Sequence, residues 1–247
     1  MKKYYIGVDL GGTNIAVGIT DENYNILKKT STPTLAARGA DAITADMAAL
    51  SKKLCADVGI EITDVCAAGI AAPGTVNPVL GVVEYANNIK FRDYPMAEKF
   101  SEYTGIPKEK IAVGNDANLA ALGEYVAGAA KEAKSAVMIT LGTGVGGGVI
   151  IDGKMLVGSA YGGAELGHMV IEKGGRQCSC GRRGCLEAYC SATALVAMTK
   201  EKFVSEKDTL MHEMCGGDVN KVGGKTAFAA MKKGDKVGAE IVDTYIS

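Results

Sequence analysis

Nothing in the 247 residues approaches the roughly 18 consecutive apolar positions that a membrane-spanning helix needs, so a membrane partner is not expected. Charge of one sign is missing too. The 27 Lys and Arg and 28 Asp and Glu leave a formal net charge of −1, and the basic residues are scattered. That removes the counterion-release affinity on which nucleic-acid binding depends. The Walker pattern GxxxxGK(S/T) does not occur, which excludes the P-loop class. The start, MKKYYIGVDLGG, has two lysines before an apolar run, but Gly7 and Asp9 interrupt it and no small-residue cleavage site follows. It reads as a first strand, and the expected compartment is the cytoplasm. Cysteines number seven, with Cys55 and Cys66 in apolar surroundings, so a disulfide scaffold is not expected. Histidine occurs only twice.

What is present is a globular composition, 47% hydrophobic and 22% charged, long enough for two domains. Residues 4 to 27 form an apolar run, a turn through Gly11-Gly12-Thr13, and a return at period two through Ile15, Val17 and Ile19. That pattern predicts a β-hairpin with a glycine-rich tip. Residues 136 to 156 repeat it around Gly142-Thr143-Gly144. Placing Asp9 on Thr140 also superposes Leu10 on Leu141, Gly11 on Gly142 and Asp21 on Asp152, the mark of a duplicated architecture. Between the copies the patterns predict a helix over 41–58, a strand over 65–71, a helix over 94–103, a short strand over 110–113 and a helix over 115–130. A βββαβα order seen twice implies two α/β domains facing a cleft, residues 1–114 and 115–247.

Thr and Gly at a hairpin tip let backbone N–H groups approach an anion with no Cβ in the way. Gly11, Gly12 and Thr13, with Gly142, Thr143 and Gly144, are therefore candidate phosphate-binding bends, and a tight turn needing positive φ is the alternative. Asp9 stands where a Mg2+-bound water could be held. Cys178, Cys180 and Cys185 have the spacing C-x-C-x4-C, with His168 ten residues upstream. One His and three Cys make a closed tetrahedral zinc set; a redox pair competes, but C-x-C is not the C-x-x-C of thioredoxin-like sites. Cys190 and Cys215 read as spare buried thiols, and His212 as without a role. Asp116 follows a strand and opens a helix, which suits an N-cap, a general base, or both.

The runs Asp9-Leu-Gly-Gly-Thr-Asn14, Asn115-Asp-Ala-Asn118, Leu141-Gly-Thr-Gly-Val-Gly-Gly-Gly148 and Glu165-Leu-Gly-His168, followed by CSCGRRGCLE, resemble the ROK family of bacterial sugar kinases and sugar-responsive repressors. The match runs in register from Tyr5 to about Glu240. The resemblance implies a duplicated actin-like, hexokinase-type α/β fold and ATP-dependent phosphorylation of glucose or a close hexose at the 6-hydroxyl, by direct in-line transfer. It makes Asp116 the catalytic base and places Asn88, Asn115, Asp116, Glu165, His168 and Glu187 on the sugar. Asn87 competes with Asn88, because Ala-Asn-Asn-Ile-Lys-Phe departs from the commoner Pro-Asn-Leu. Mg2+ with ATP and a structural Zn2+ are the implied cofactors; hexose and ATP are the implied partners, and a homodimer is common in the family. A metal-bound His168 could donate its other ring nitrogen to a substrate hydroxyl, the ion fixing both that imidazole and Glu187; a remote stabilising knuckle is the bland alternative.

N-acetylmannosamine, N-acetylglucosamine, fructose and allose are alternative substrates, since the hydroxyl-reading residues are largely shared. A repressor is the reading from another class, and no basic helix-turn-helix precedes the first strand. Family kinases continue into a further glycine-rich segment that receives adenosine, whereas this sequence stops at AEIVDTYIS. The expectation is therefore a chain truncated within its nucleotide-base site, weakly active or inactive.

Overall fold

A computed structural model describes residues 3–86 and 89–247. The strands and helices run in the order β1 (Tyr4–Leu10), β2 (Asn14–Asp21), β3 (Ile26–Pro33), α1 (Ala40–Asp57), β4 (Ala67–Ala72), β5 (Thr75–Asn77), β6 (Val82–Ala86), β7 (Phe91–Tyr94), α2 (Met96–Thr104), β8 (Ile111–Asn115) and α3 (Asp116–Ala127). There follow β9 (Ala136–Leu141), β10 (Val145–Ile151), β11 (Lys154–Met155), α4 (Glu187–Cys190), α5 (Ala192–Ser205), α6 (Leu210–Met214), α7 (Thr226–Lys232) and α8 (Lys236–Ile246). By contacts the chain divides into two units, Met1–Val137 with Gly148–Ala164, and Met138–Gly147 with Glu165–Ser247. The boundary expected at residues 114 and 115 falls inside the first unit, where β8 passes into α3.

The first unit is built on a five-stranded sheet of order β3-β2-β1-β4-β8, with β1 antiparallel to β2 and parallel to β4, and β4 parallel to β8. Alternation puts Ile6, Val8 and Leu10 of β1 opposite Ile19, Val17 and Ile15 of β2, so all six enter one core. Ile70 of β4 and Val113 of β8 extend it. Helix α1 covers this face with Ile43, Met47 and Leu54, which recur at helical spacing. Helix α2 buries Phe100 completely and ends at Gly105, whose φ of 84° lets its N–H reach the Ser101 carbonyl. Removing a ring buried as Phe100 is costs about 3–5 kcal/mol.

Sequence patterning anticipated no strands between residues 75 and 94, yet β5, β6 and β7 form a separate antiparallel sheet in that order. It enters the same core through Val76, Val83 and Phe91.

The second glycine hairpin carries β9 and β10, and the sheet order β11-β10-β9 repeats β3-β2-β1. After it the second unit is helical. Helices α5 to α8 surround Leu195, Phe203, Met211, Ala227 and Ile241. Asp235 caps α8, accepting from the Gly238 N–H at 2.6 Å, and also accepts from the Leu210 N–H at 2.7 Å, which ties α6 to α8. Among the described residues no strand stands beside β9 as β4 stands beside β1, so the order βββαβα is complete in the first copy only. No helix among the described residues is long and apolar enough to cross a membrane.

Candidate active site and metal centre

Three parallel strands of the first unit, β1, β4 and β8, end side by side. Asp9 pairs with Ala71, and Ala72 with Asn115. Crevices at the carboxyl ends of parallel strands are where α/β proteins bind ligands, because loops and helix N-termini gather there. The Gly11–Thr13 bend begins one residue past β1. Gly11 donates its N–H to the Asn14 carbonyl at 2.9 Å, and a Cβ on Gly11 would stand 2.9 Å from that oxygen, so the bend needs glycine there. Thr34 pins the bend from β3's far end: its hydroxyl donates to the Gly11 carbonyl at 2.7 Å and its N–H to the Thr13 carbonyl at 2.8 Å. Gly12 and Thr13 remain exposed.

Asp116 is the first residue of α3, and the N-cap is Asn115 rather than Asp116. The Asn115 Oδ1 accepts from the Asn118 N–H at 3.1 Å, and its Nδ2 donates to the Gly74 carbonyl at 3.1 Å. Both ends of that amide are thus engaged in holding the strand–helix junction. Asp116 is half-buried and accepts from the Ala117 N–H at 2.8 Å. Burial, with the neighbouring Asp9 charge adding to it, raises the Asp116 carboxyl above its ordinary value. Desolvation raises Asp9 as well. Asn118 is buried one turn into α3 with its Oδ1 unpaired.

In the second unit the Gly142–Gly144 bend is closed by the Gly142 N–H donating to the Gly144 carbonyl at 2.9 Å. Other elements hold this tip. The Gly142 carbonyl accepts from the Ala192 N–H at 2.9 Å, the Thr143 carbonyl from the Thr193 hydroxyl at 2.7 Å, and Glu187 Oε2 from the Val145 N–H at 3.0 Å. A Cβ on Gly144 would stand 2.3 Å from that Glu187 oxygen, and one on Gly167 2.0 Å from the Val145 carbonyl. Glycine at both positions lets the Glu165–His168 turn and α4 close onto the first residue of β10.

His168, Cys178, Cys180 and Cys185 converge, their donor atoms all within 4.8 Å of one another. Cys180 Sγ lies 3.7 Å from Cys185 Sγ, and Cys178 Sγ 3.7 Å from His168 Nδ1. A tetrahedral ion with metal–sulfur bonds of about 2.3 Å has edges of about 3.8 Å, so the donors present fit such an ion. Gly181 and Gly184 turn the loop with φ of 88° and 83°, and a Cβ on Gly184 would stand 1.7 Å from the Glu172 carbonyl. The Arg182 N–H beside Cys180 draws that thiol down to about 6, and the Arg182 guanidinium donates to the His168 carbonyl at 3.0 Å. The first favours an anionic sulfur at Cys180, the form that ligates metal, whereas burial pushes the Cys185 thiol up to about 11.

The structure therefore gathers Asp9, Gly11, Gly12, Thr13, Asn115 and Asp116 at one edge of the first unit. It gathers Gly142, Thr143, Gly144, His168, Cys178, Cys180, Cys185 and Glu187 within the second. Glu165 stands just before the short turn leading to His168, makes no side-chain capping bond and is exposed. Asn88 and its alternative Asn87 lie outside the described residues. Cys215 is buried, while Cys190 is half-buried. Thr34, Ser179 and Thr193 were not anticipated; each acts through one hydroxyl on a partner at least eight residues away, which no local motif announces.

The ROK family matches residues 5–247. The glucokinase of Thermotoga maritima is 36% identical over 245 residues, 98% of this chain and 74% of the relative. That of Streptomyces coelicolor is 39% identical over 244 residues, 97% of this chain and 72% of the relative. The crystal structure of a ROK family glucokinase from Streptomyces griseus in complex with glucose and AMPPNP superposes with a TM-score of 0.81 at 36% identity, covering 98% of this chain and 75% of that one. The chain thus spans about three quarters of the length of these relatives, and its α/β fold is that of the duplicated actin-like sugar kinases. With its motifs, fold and near full-length match in agreement, this chain belongs to the ROK family.

Proposed function

We propose that the chain transfers a phosphoryl group from ATP to the 6-hydroxyl of glucose or a close hexose. The observation that carries this reading is the half-buried Asp116 at the carboxyl end of β8, raised by burial and by Asp9, in a chain similar over nearly its whole length to glucokinases. A carboxylate there can take the proton of a sugar hydroxyl, a role worth ~10²–10⁴-fold in rate. The hydroxyl oxygen forms a bond to the γ-phosphorus, its proton passes to Asp116, the bond from that phosphorus to the bridging oxygen breaks, and ADP leaves. There is little covalent work for the protein beyond this, so positioning carries most of the acceleration.

The bends at Gly11–Thr13 and Gly142–Gly144 would bind phosphate oxygens, and Asp9 would help hold the Mg2+ that accompanies ATP, which would neutralise phosphate charge. Asn88, Asn115, Glu165, His168 and Glu187, with Asp116, read the sugar hydroxyls. His168, Cys178, Cys180 and Cys185 would hold Zn2+, which would brace His168 and Glu187. The duplicated halves, 1–114 and 115–247, describe the repeat, whereas the two contact units describe how the chain packs.

The test is a coupled assay of ATP-dependent phosphorylation over a panel of hexoses and N-acetylhexosamines, beside calorimetric sugar binding. Asp116→Asn should abolish turnover and keep sugar binding; a variant that still turns over removes Asp116 as the base.

A further inference from the structure

Glu187 makes contacts that a sugar-reading role does not require. Its Oε2 accepts from the Val145 N–H at 3.0 Å, at the base of the Gly142–Gly144 bend. Its Oε1 accepts from the hydroxyl of Ser179 at 3.0 Å, and the Cys178 thiol lies 3.8 Å from the same oxygen. Ser179 is the residue between the first two cysteines of the metal loop. One carboxylate therefore spans two structures far apart in sequence, the loop built around the metal donors and the glycine hairpin. A side chain held at one oxygen can still swing about its last torsion; held at both, it has a fixed plane.

Resting on the reading above, we propose that Ser179 is a positioning residue: with the Val145 N–H it fixes both oxygens of Glu187, so that the metal loop sets the aim of that carboxylate and the glycine hairpin is coupled to the loop through it. The close packing fits this role. Gly144 carries no side chain to keep the carboxylate off, and Gly167, where a Cβ would stand 2.0 Å from the Val145 carbonyl, lets the His168 turn pack close, so Val145 is confined at both its N–H and its carbonyl. A hydroxyl at 179 can donate, whereas an alanine cannot. The coupling is local and contiguous, running through hydrogen bonds rather than through a distant rearrangement.

The test uses the full chain with its zinc loaded, as wild type, Ser179→Ala and Ser179→Thr. The first readout is hydrogen exchange at the Val145 amide, and zinc content and exchange across residues 176–186 are followed in parallel. Ser179→Ala should raise exchange at Val145 about tenfold with zinc retained and the knuckle still protected, and Ser179→Thr should restore it; outer-shell partners of metal sites typically carry effects of about 10–100-fold. Unchanged exchange at Val145 overturns the proposal, as does a rise spread over the whole knuckle with loss of zinc, since that is a general structural role. The second readout is calorimetric affinity for glucose, expected to weaken about tenfold in Ser179→Ala and to recover in Ser179→Thr; unchanged affinity overturns the aiming of the carboxylate. If wild type binds no sugar the kinase reading fails, and the exchange result still decides the link.

Discussion

The two glycine bends share an ancestry of pattern and differ in what holds them. The Gly11–Thr13 bend is pinned by Thr34, and its strand β1 is flanked on both sides, by β2 and by β4. The Gly142–Gly144 bend is pinned by Glu187, Ala192 and Thr193, and Glu187 is in turn held by Ser179 of the cysteine loop. Thr34 and a sheet secure the first tip, whereas the start of α5 and a carboxylate held by the cysteine loop secure the second. Duplication copies a backbone shape readily, but each copy must find its own buttress in whatever packs beside it.

That contrast can be broken by experiment, and the largest effect expected is metal removal. Chelation should raise hydrogen exchange across residues 165–187 and at 142–145 by orders of magnitude while β1 and β2 remain protected; equal loss in both hairpins would erase the distinction. Next is Gly184→Ala, which forces a Cβ into the Glu172 carbonyl at a φ of 83°. It should destabilise the second unit by about 3 kcal/mol or more and lower zinc affinity, measured by denaturant unfolding and metal competition. Thr34→Val, by contrast, removes one hydroxyl bond at the first bend and should cost about 1 kcal/mol with zinc binding untouched.

A smaller effect concerns Asp116, whose folded value is raised. Such a group contributes stability below its ordinary value of 3.8 and loses it as pH rises through the raised one. Asp116→Asn should therefore melt a little higher than wild type near pH 7, the gap closing as pH falls toward 3.8. With Asp116 as the proposed base, turnover should move the opposite way, falling as pH drops through the raised value, because a base acts only when ionised.

Much of this site was legible because its parts are local. The bends, the C-x-C-x4-C loop and the strand–helix junction at Asn115-Asp116 each occupy a few consecutive residues, and the hairpin pattern occurs twice. Three things were not legible. The strands β5 to β7 are three to five residues long, too short for alternation to declare itself. The cap fell to Asn115 because its amide can serve the helix and Gly74 at once, a choice made only when β4 and β8 lie side by side. Ser179 and Thr193 look like ordinary loop and helix residues until their partners arrive.

Gly74 turns with a φ of 85° against the Tyr85 carbonyl of β6, where a Cβ would stand 2.1 Å away, and the Gly74 carbonyl receives the Asn115 amide. The small sheet thus acts as the anvil behind the first turn of α3. A substitution in β6 beneath Gly74 would therefore reach the proposed base through the backbone alone, a handle on Asp116 from a strand that does not carry it.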